Sequence, residues 1–288
     1  MNSTPFKALA CPLDGEPLEI AGSAWRCAAG HSFDIAKQGY VNLLPVQQKR
    51  SSDPGDSKSM VAARRRFLNA GHYQPIAKSV SNAVLSYAES KTANNELFSC
   101  LDAGCGEGYY LRQLVNAAAS AQSLSVMGLD ISKWAVLAAA RQDDSQTPRS
   151  SWVVGSNAHL PVQTGVLDSV LCMFGFPVYS EFARVLKAGG VLLHVEAGPD
   201  HLRELREIIY PSLKPERSSE RQLLEGFVYQ SKASLNYSLK LNGIEQIADL
   251  LAMTPHLYRA SAEGRARAAA LEELTVTIDV CLTQWLRN

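Results

Sequence analysis

Five short apolar runs alternate with helical patterns from Phe98 to a last helix starting at about Asp200, and this predicts an α/β fold with a Rossmann-like, doubly wound, mostly parallel sheet. Two observations refine it. A glycine-rich turn joins the first run to the first helix, as such sheets require where they bind ligands. Alternating strand-like patterns near the C-terminus predict an antiparallel edge, and a short cysteine-bearing stretch ahead of the sheet predicts a small zinc-ribbon-like module.

In chain order, residues 1–46 carry turn signals around Cys11-Pro12-Leu13-Asp14 and Cys27-Ala28-Ala29-Gly30-His31 with little helical periodicity, and read as a module too small for its own core. Residues 47–59 are rich in Ser, Asp, Pro and Gly and read as a linker, which places the α/β domain at 60–288. From Tyr73 to Glu89, Ile76, Val80, Val84 and Leu85 give one apolar helical face. Phe98 to Ala103, Leu124 to Asp130, Trp152 to Gly155, Val166 to Phe174 and Val191 to Glu196 read as strands, with helices starting at Tyr109, Lys133, Ser180 and about Asp200. Lys187-Ala188-Gly189-Gly190 reads as a tight turn before a buried strand. Phe227 to Tyr237 and Leu274 to Leu282 alternate like edge strands around a helical pattern from Asn242 to Leu251.

The chemistry concentrates in Asp102-Ala103-Gly104-Cys105-Gly106-Glu107-Gly108-Tyr109-Tyr110 and in Gly128-Leu129-Asp130. Gly104 and Gly106 let main chain approach a ligand, and Asp130, ending the second strand, can accept hydrogen bonds from ribose hydroxyls. A dinucleotide site uses a similar layout. Here the pyrophosphate fingerprint is incomplete, since Tyr109 stands three residues past Gly106, and Asp102 repels phosphate but suits an ammonium. The set points to S-adenosylmethionine and methyl transfer. Asn157, after the third strand, can meet an adenine edge or simply form a turn.

Composition narrows the remaining classes. Hydrophobic residues make up 46% and charged residues 19% of 288, no stretch is long enough to span a membrane, and the N-terminus lacks a signal-peptide core, so a cytoplasmic protein is expected. Six scattered cysteines form no disulfide framework. Charge balances globally at 28 basic against 28 acidic residues. Between Lys37 and Lys78, however, eight basic residues (Lys37, Lys49, Arg50, Lys58, Arg64, Arg65, Arg66, Lys78) face two acidic ones (Asp53, Asp56), a net of +6 that suits a phosphate backbone or a solvated face. Cys11, Asp14, Cys27 and His31 have knuckle spacing for zinc, with aspartate where a thiolate is usual. The same residues can also serve as buried thiols, a turn cap and a local hydrogen bond.

The chain resembles the bacterial 23S ribosomal RNA guanine-N1 methyltransferases with an N-terminal zinc-binding module. Three blocks carry the resemblance beyond the glycine loop: the knuckle; Phe33-Asp34-Ile35-Ala36-Lys37-Gln38-Gly39-Tyr40-Val41-Asn42-Leu43-Leu44-Pro45, continuing to Asp53-Pro54-Gly55-Asp56; and Arg64-Arg65-Arg66-Phe67-Leu68-Asn69-Ala70-Gly71-His72-Tyr73. It implies zinc at Cys11, Asp14, Cys27 and His31, the second position departing from the family's cysteine. It implies cofactor contacts at Tyr73, Gly104, Gly106, Tyr110, Leu111, Asp130, Asn157 and His201. It also implies a homodimer clamped around a hairpin of 23S ribosomal RNA, with no membrane partner.

Guanine N1 carries a proton at neutral pH, and Asp168 and Glu196 are candidate acceptors within or near the ends of the fourth and fifth strands. Phe174-Gly175-Phe176-Pro177 can stack on an extruded base, although it is more apolar than the family pattern and lacks an arginine near Cys172. Two alternatives stay open: a small-molecule methyltransferase, and an RNA-binding protein that keeps the fold without catalysis.

Overall fold

A computed structural model describes residues 3–49, 51–91, 97–118, 123–143, 148–212 and 224–288; Arg50 of the basic segment lies outside them. The chain opens with short strands β1 (Ser3–Pro5), β2 (Glu19–Ala21), β3 (Ala24–Arg26), β4 (Ser32–Asp34) and β5 (Tyr40–Asn42), then helices α1 (Lys58–Asn69) and α2 (Gln74–Lys91). The alternating region follows as β6 (Phe98–Ala103), α3 (Tyr109–Ala117), β7 (Leu124–Asp130), α4 (Lys133–Ala140), β8 (Ser151–Val154), β9 (Leu167–Met173), α5 (Tyr179–Val185), β10 (Leu186–Ala197) and α6 (Arg203–Ile209). The last part is β11 (Phe227–Asn242), α7 (Ile244–Ala252), α8 (His256–Arg259), α9 (Ala262–Ala269) and β12 (Glu273–Arg287).

The large sheet runs β11-β12-β10-β9-β6-β7-β8-β5, with β1 also pairing β7. Strands from β5 to β10 pair in parallel, while β12 pairs antiparallel with β10 and β11, giving the expected edge. From β6 the chain winds outward through β7 and β8, then returns to lay β9 on the other side of β6. This reversal leaves a crevice between the carboxyl ends of β6 and β9. The Lys187–Gly190 turn interrupts the β9–β10 ladder between Leu186 and Val191, with Gly189 at φ +72°.

β6 is buried along its whole length, as expected of a strand covered on both faces. Its alternating side chains serve two cores: Phe98 and Cys100 pack on the face covered by α2 and α3, and Leu101 and Ala103 on the face holding Phe182, Val185 and the N-terminal segment. That segment folds β2, β3 and β4 into a separate three-stranded antiparallel sheet. It has too few apolar residues to close a core, so Phe6, Leu9, Leu18 and Trp25 join Met127, Val153 and Val162 of the α/β layer. The 47–59 stretch is itself docked on the turn after β7. Ser132 Oγ donates to the Asp56 carbonyl at 2.6 Å, Trp134 Nε1 donates to Asp53 Oδ2 at 2.7 Å, and Gly55, at φ +83°, lies where a Cβ would strike Ile131 and Ser132.

Candidate active site

The glycine loop is fixed from below. Gly104 N and Cys105 N donate to the Leu129 carbonyl at 2.8 and 2.9 Å, and Gly106 N donates to Asp130 Oδ2 at 2.9 Å. Asp130 Oδ1 accepts from Ser132 N at 2.8 Å, so this carboxylate ties the two βα turns together. Gly104 and Gly106 sit at φ +93° and +56°, the left-handed region that glycine enters without steric cost.

Above the loop a cavity of about 450 Å³ opens at the crevice between β6 and β9. Its wall includes Tyr73, Gly104, Gly106, Tyr110 and His201, all expected from sequence. Asp102 lies fully buried at the end of β6, with neither carboxylate oxygen hydrogen-bonded. Burial, and then the charge of Asp130, push its carboxyl up to about 7. Two unpartnered buried carboxyl oxygens call for a donor, which the ammonium of S-adenosylmethionine would supply. Asn157 reaches the Ala103 carbonyl through Nδ2 at 3.4 Å, and its buried Oδ1 has no partner. These features fit the cofactor. Asp102, Asp130 and Asn157 stand just behind the wall, whereas Leu111 is wholly buried in the core of α3.

Tyr73, Phe174 and His201 form an aromatic cluster on the far side. Phe174 stacks on His201 with centroids 5.8 Å apart and planes at 27°, and lies 6.2 Å from the Tyr73 ring. Phe174 (φ +53°) and Leu202 (φ +54°) are the non-glycine residues at positive φ among those described, and both line this cavity. Such backbone costs roughly 1–3 kcal/mol each and persists where surrounding packing imposes it. Phe176, at 87% exposure, stands free beside them.

The two proton-acceptor candidates separate clearly. Glu196 lines the cavity. Asp168 lies at the start of β9, at the opposite end of the parallel strands from the cavity, where it accepts from Ser99 and pairs with Lys187 at 2.7 Å. It is corrected to a structural role.

The basic triplet also divides. Arg65 is exposed and makes no ion pair among the described residues. Arg66 pairs with Asp249, Nε donating to Oδ2 at 2.9 Å. Arg64 turns into the cavity wall, its Nη2 at 2.6 Å from Asp56 Oδ2 and donating to the Met253 carbonyl at 3.0 Å. The three arginines of the basic segment therefore have different surroundings: Arg64 faces the cavity, Arg66 is exposed but paired, and Arg65 is exposed without an ion pair among the described residues. A sequence signal existed: Arg64 is in phase with the apolar stripe Met60, Ala63, Phe67 and Leu68 of α1, while Arg65 and Arg66 are not. Met253, Thr254, Pro255 and His256, which complete the wall, gave no such signal.

At the N-terminal sheet, Cys11, Asp14, Cys27 and His31 converge with ligand atoms all within 4.8 Å of one another. His31 Nδ1 is 3.5 and 3.4 Å from the sulfurs of Cys11 and Cys27 and 2.9 Å from Asp14 Oδ2. Tetrahedral zinc, with bonds of about 2.3 Å to sulfur and about 2.0 Å to nitrogen or oxygen, places such ligands roughly 3.5 Å apart. Glu16 N donates to Asp14 Oδ1 at 3.0 Å and leaves Oδ2 facing the cluster. The four residues fit zinc, with Asp14 in the second ligand position.

Fold and crevice together define a Rossmann-like methyltransferase carrying a zinc-ribbon module. Family models agree, matching residues 9–52 as the RlmA N-terminal zinc ribbon and residues 100–190 as a methyltransferase domain. The chain is 32% identical to the 23S rRNA (guanine(748)-N(1))-methyltransferase of Streptomyces fradiae, over 98% of this chain and 99% of that one. A Micromonospora griseorubida protein with the 23S rRNA guanine-N1 activity in its name is 33% identical over 96% of each chain, and another from Bacillus subtilis 29% identical over 97% of each. The chain belongs to the 23S rRNA (guanine-N1)-methyltransferase family.

Proposed function

We propose that the protein methylates N1 of a guanine presented by a hairpin of 23S ribosomal RNA. The observation that carries the reading is Asp102, whose unpartnered buried oxygens lie beneath the glycine loop at the sheet's reversal point. S-adenosylmethionine, when bound, supplies an electrophilic methyl group on a sulfonium.

The chain's own residues supply position and proton handling. Asp102 holds the ammonium, Gly104 and Gly106 allow close approach of main chain, and Asp130, fixed by two backbone N–H donors, keeps further acceptor capacity toward ribose hydroxyls. Phe174 and Phe176 form a mouth on which an extruded base can stack. Glu196 is the wall carboxylate matched to guanine, whose N1–H and N2–H present two adjacent donors, and it accepts the N1 proton. Asp14 completes a zinc site that braces the N-terminal sheet.

Exposed Arg65, with Lys49 and the zinc-ribbon module, supports the RNA-binding part of the reading. We extend it to a cytoplasmic homodimer, with residues 1–46, 47–59 and 60–288 as module, connecting segment and catalytic domain; among the described residues no helix is long and apolar enough to cross a membrane. The test is reverse-transcriptase primer extension on large-subunit rRNA from cells with and without the protein. Methylation at guanine N1 blocks base pairing, so a stop at one guanine that depends on the protein is expected. Full read-through in both samples rejects the reading.

A further inference from the structure

Arg64 is a charged residue placed where its helix otherwise buries Met60, Ala63, Phe67 and Leu68. A guanidinium on an apolar face is costly to desolvate unless something there uses it. Two partners take Nη2: Asp56 Oδ2 at 2.6 Å and the Met253 carbonyl at 3.0 Å. The rest of the fork is unused. Nε is buried without a hydrogen-bond partner, and Nη1 hangs over the glycine loop, 3.3 Å from where a Cβ on Gly106 would lie.

Among the described residues lining the cavity, Arg64 is the one permanent cation. Of the other ionisable wall residues, burial raises Cys105, Tyr73, Tyr109 and Tyr110 and so keeps them neutral, Glu107 is already paired with Arg112 at 2.8 Å, His201 and His256 are held toward the neutral form by burial, and Glu196 remains. At the same loop, Asp102 presents a buried carboxyl with no hydrogen-bond partner. One unpartnered buried carboxyl and one underused guanidinium flanking a glycine loop match the ammonium and the carboxylate of an α-amino acid.

We propose that Arg64 is a cofactor-positioning residue that binds the carboxylate of the methionine moiety through its unused N–H groups, while Asp102 takes the ammonium. This rests on the S-adenosylmethionine reading of the cavity. It also gives the connecting segment a purpose, because Asp56, docked on the turn after β7 through Ser132, holds the guanidinium over the loop. Binding of the amino-acid end thus becomes linked to the order of residues 53–56, next to the expected RNA-binding surface.

Calorimetry with three ligands tests the assignment. S-adenosylhomocysteine has the whole amino-acid end, decarboxylated S-adenosylmethionine (measured against S-adenosylmethionine) lacks only the carboxylate, and 5′-methylthioadenosine lacks the end entirely. Wild-type protein is expected to lose about 10- to 100-fold in affinity when the carboxylate is removed, the range for a charge-assisted hydrogen bond. R64Q should weaken S-adenosylhomocysteine by a similar factor, leave 5′-methylthioadenosine within about twofold, and abolish the discrimination against the decarboxylated ligand. R64K should recover part of it, and D56N, which removes the ion pair that holds the guanidinium over the loop, should lose part of the affinity for the carboxylate-bearing ligands while leaving 5′-methylthioadenosine within about twofold.

Equal losses of S-adenosylhomocysteine and 5′-methylthioadenosine in R64Q would overturn the proposal, as would a wild-type protein indifferent to the carboxylate. The wild-type ligand series decides the matter even if R64Q does not fold. Wild-type protein that binds none of these adenosine compounds would instead remove the cofactor reading on which the proposal stands.

Discussion

The Tyr73 hydroxyl lies 3.3 Å from Nε2 of His201, and Nδ1 of the same ring accepts the backbone N–H of Asp279 at 3.3 Å. With Nδ1 occupied as an acceptor, the neutral imidazole carries its proton on Nε2 and donates to the Tyr73 oxygen. Three distant parts of the chain thereby meet at one wall of the cavity: the entrance to α2, the loop before α6, and β12.

Burial holds His201 at about 4, below its ordinary 6.5. Between those values the unfolded chain binds a proton at this ring and the native chain does not, so stability rises with pH through the window and levels off above it. The shift corresponds to at most about 3 kcal/mol. Urea unfolding between pH 4 and 7.5 should show a shallower rise in H201Q than in wild type. Identical slopes would mean that the ring is solvated in the native state.

Asp102 works in the opposite direction. Its native value of about 7 stands above the ordinary 3.8, so between these values the native chain keeps a proton that the unfolded chain has lost, and stability falls as pH rises. Ligand-free D102N should be more stable than wild type at pH 8, by up to about 4 kcal/mol, with the gain vanishing near pH 4. It should also bind S-adenosylhomocysteine about 10- to 100-fold more weakly. A destabilised D102N that binds as well as wild type would contradict both roles.

Arg65 and Arg66 should part company experimentally. R65Q is expected to reduce the slope of log affinity for RNA against log salt by about 1 without touching cofactor affinity. R66Q removes a pair whose arginine is largely exposed, and should cost about 1 kcal/mol or less of stability. Salt-dependent filter binding and thermal melts distinguish them.

Phe176, at 87% exposure, contributes nothing to the core. F176A should melt like wild type and bind S-adenosylhomocysteine normally, yet methylate RNA about 10-fold or more slowly if a base stacks there. Unchanged single-turnover methylation would leave Phe174 alone as the stacking surface.

The four-residue cluster predicts one metal bound by two thiolates, an imidazole and a carboxylate. Cobalt(II) substitution should give tetrahedral d–d bands with charge transfer from two sulfurs. D14C should intensify the charge-transfer band and tighten binding, and chelation should lower the melting temperature of the whole chain, because the N-terminal segment shares its core with the sheet.

The alternation of strands and helices in a mostly parallel sheet, the glycine loop with Asp102 and Asp130, and the antiparallel edge were legible in the sequence, because each leaves a local trace. Buried strands read as apolar runs, turns demand glycine, and β7, for example, begins and ends where Leu124 and Asp130 predict. The zinc cluster was legible for the same reason, its ligands falling in two short pairs. Tertiary structure alone decided the rest. It separated Glu196 from Asp168 by placing them at opposite ends of two neighbouring strands, turned Arg64 inward from a run of three arginines, and brought Met253 to His256 across from residues about 150 positions earlier. Those outcomes depend on which elements cover which face, a matter of long-range packing that composition and periodicity do not encode.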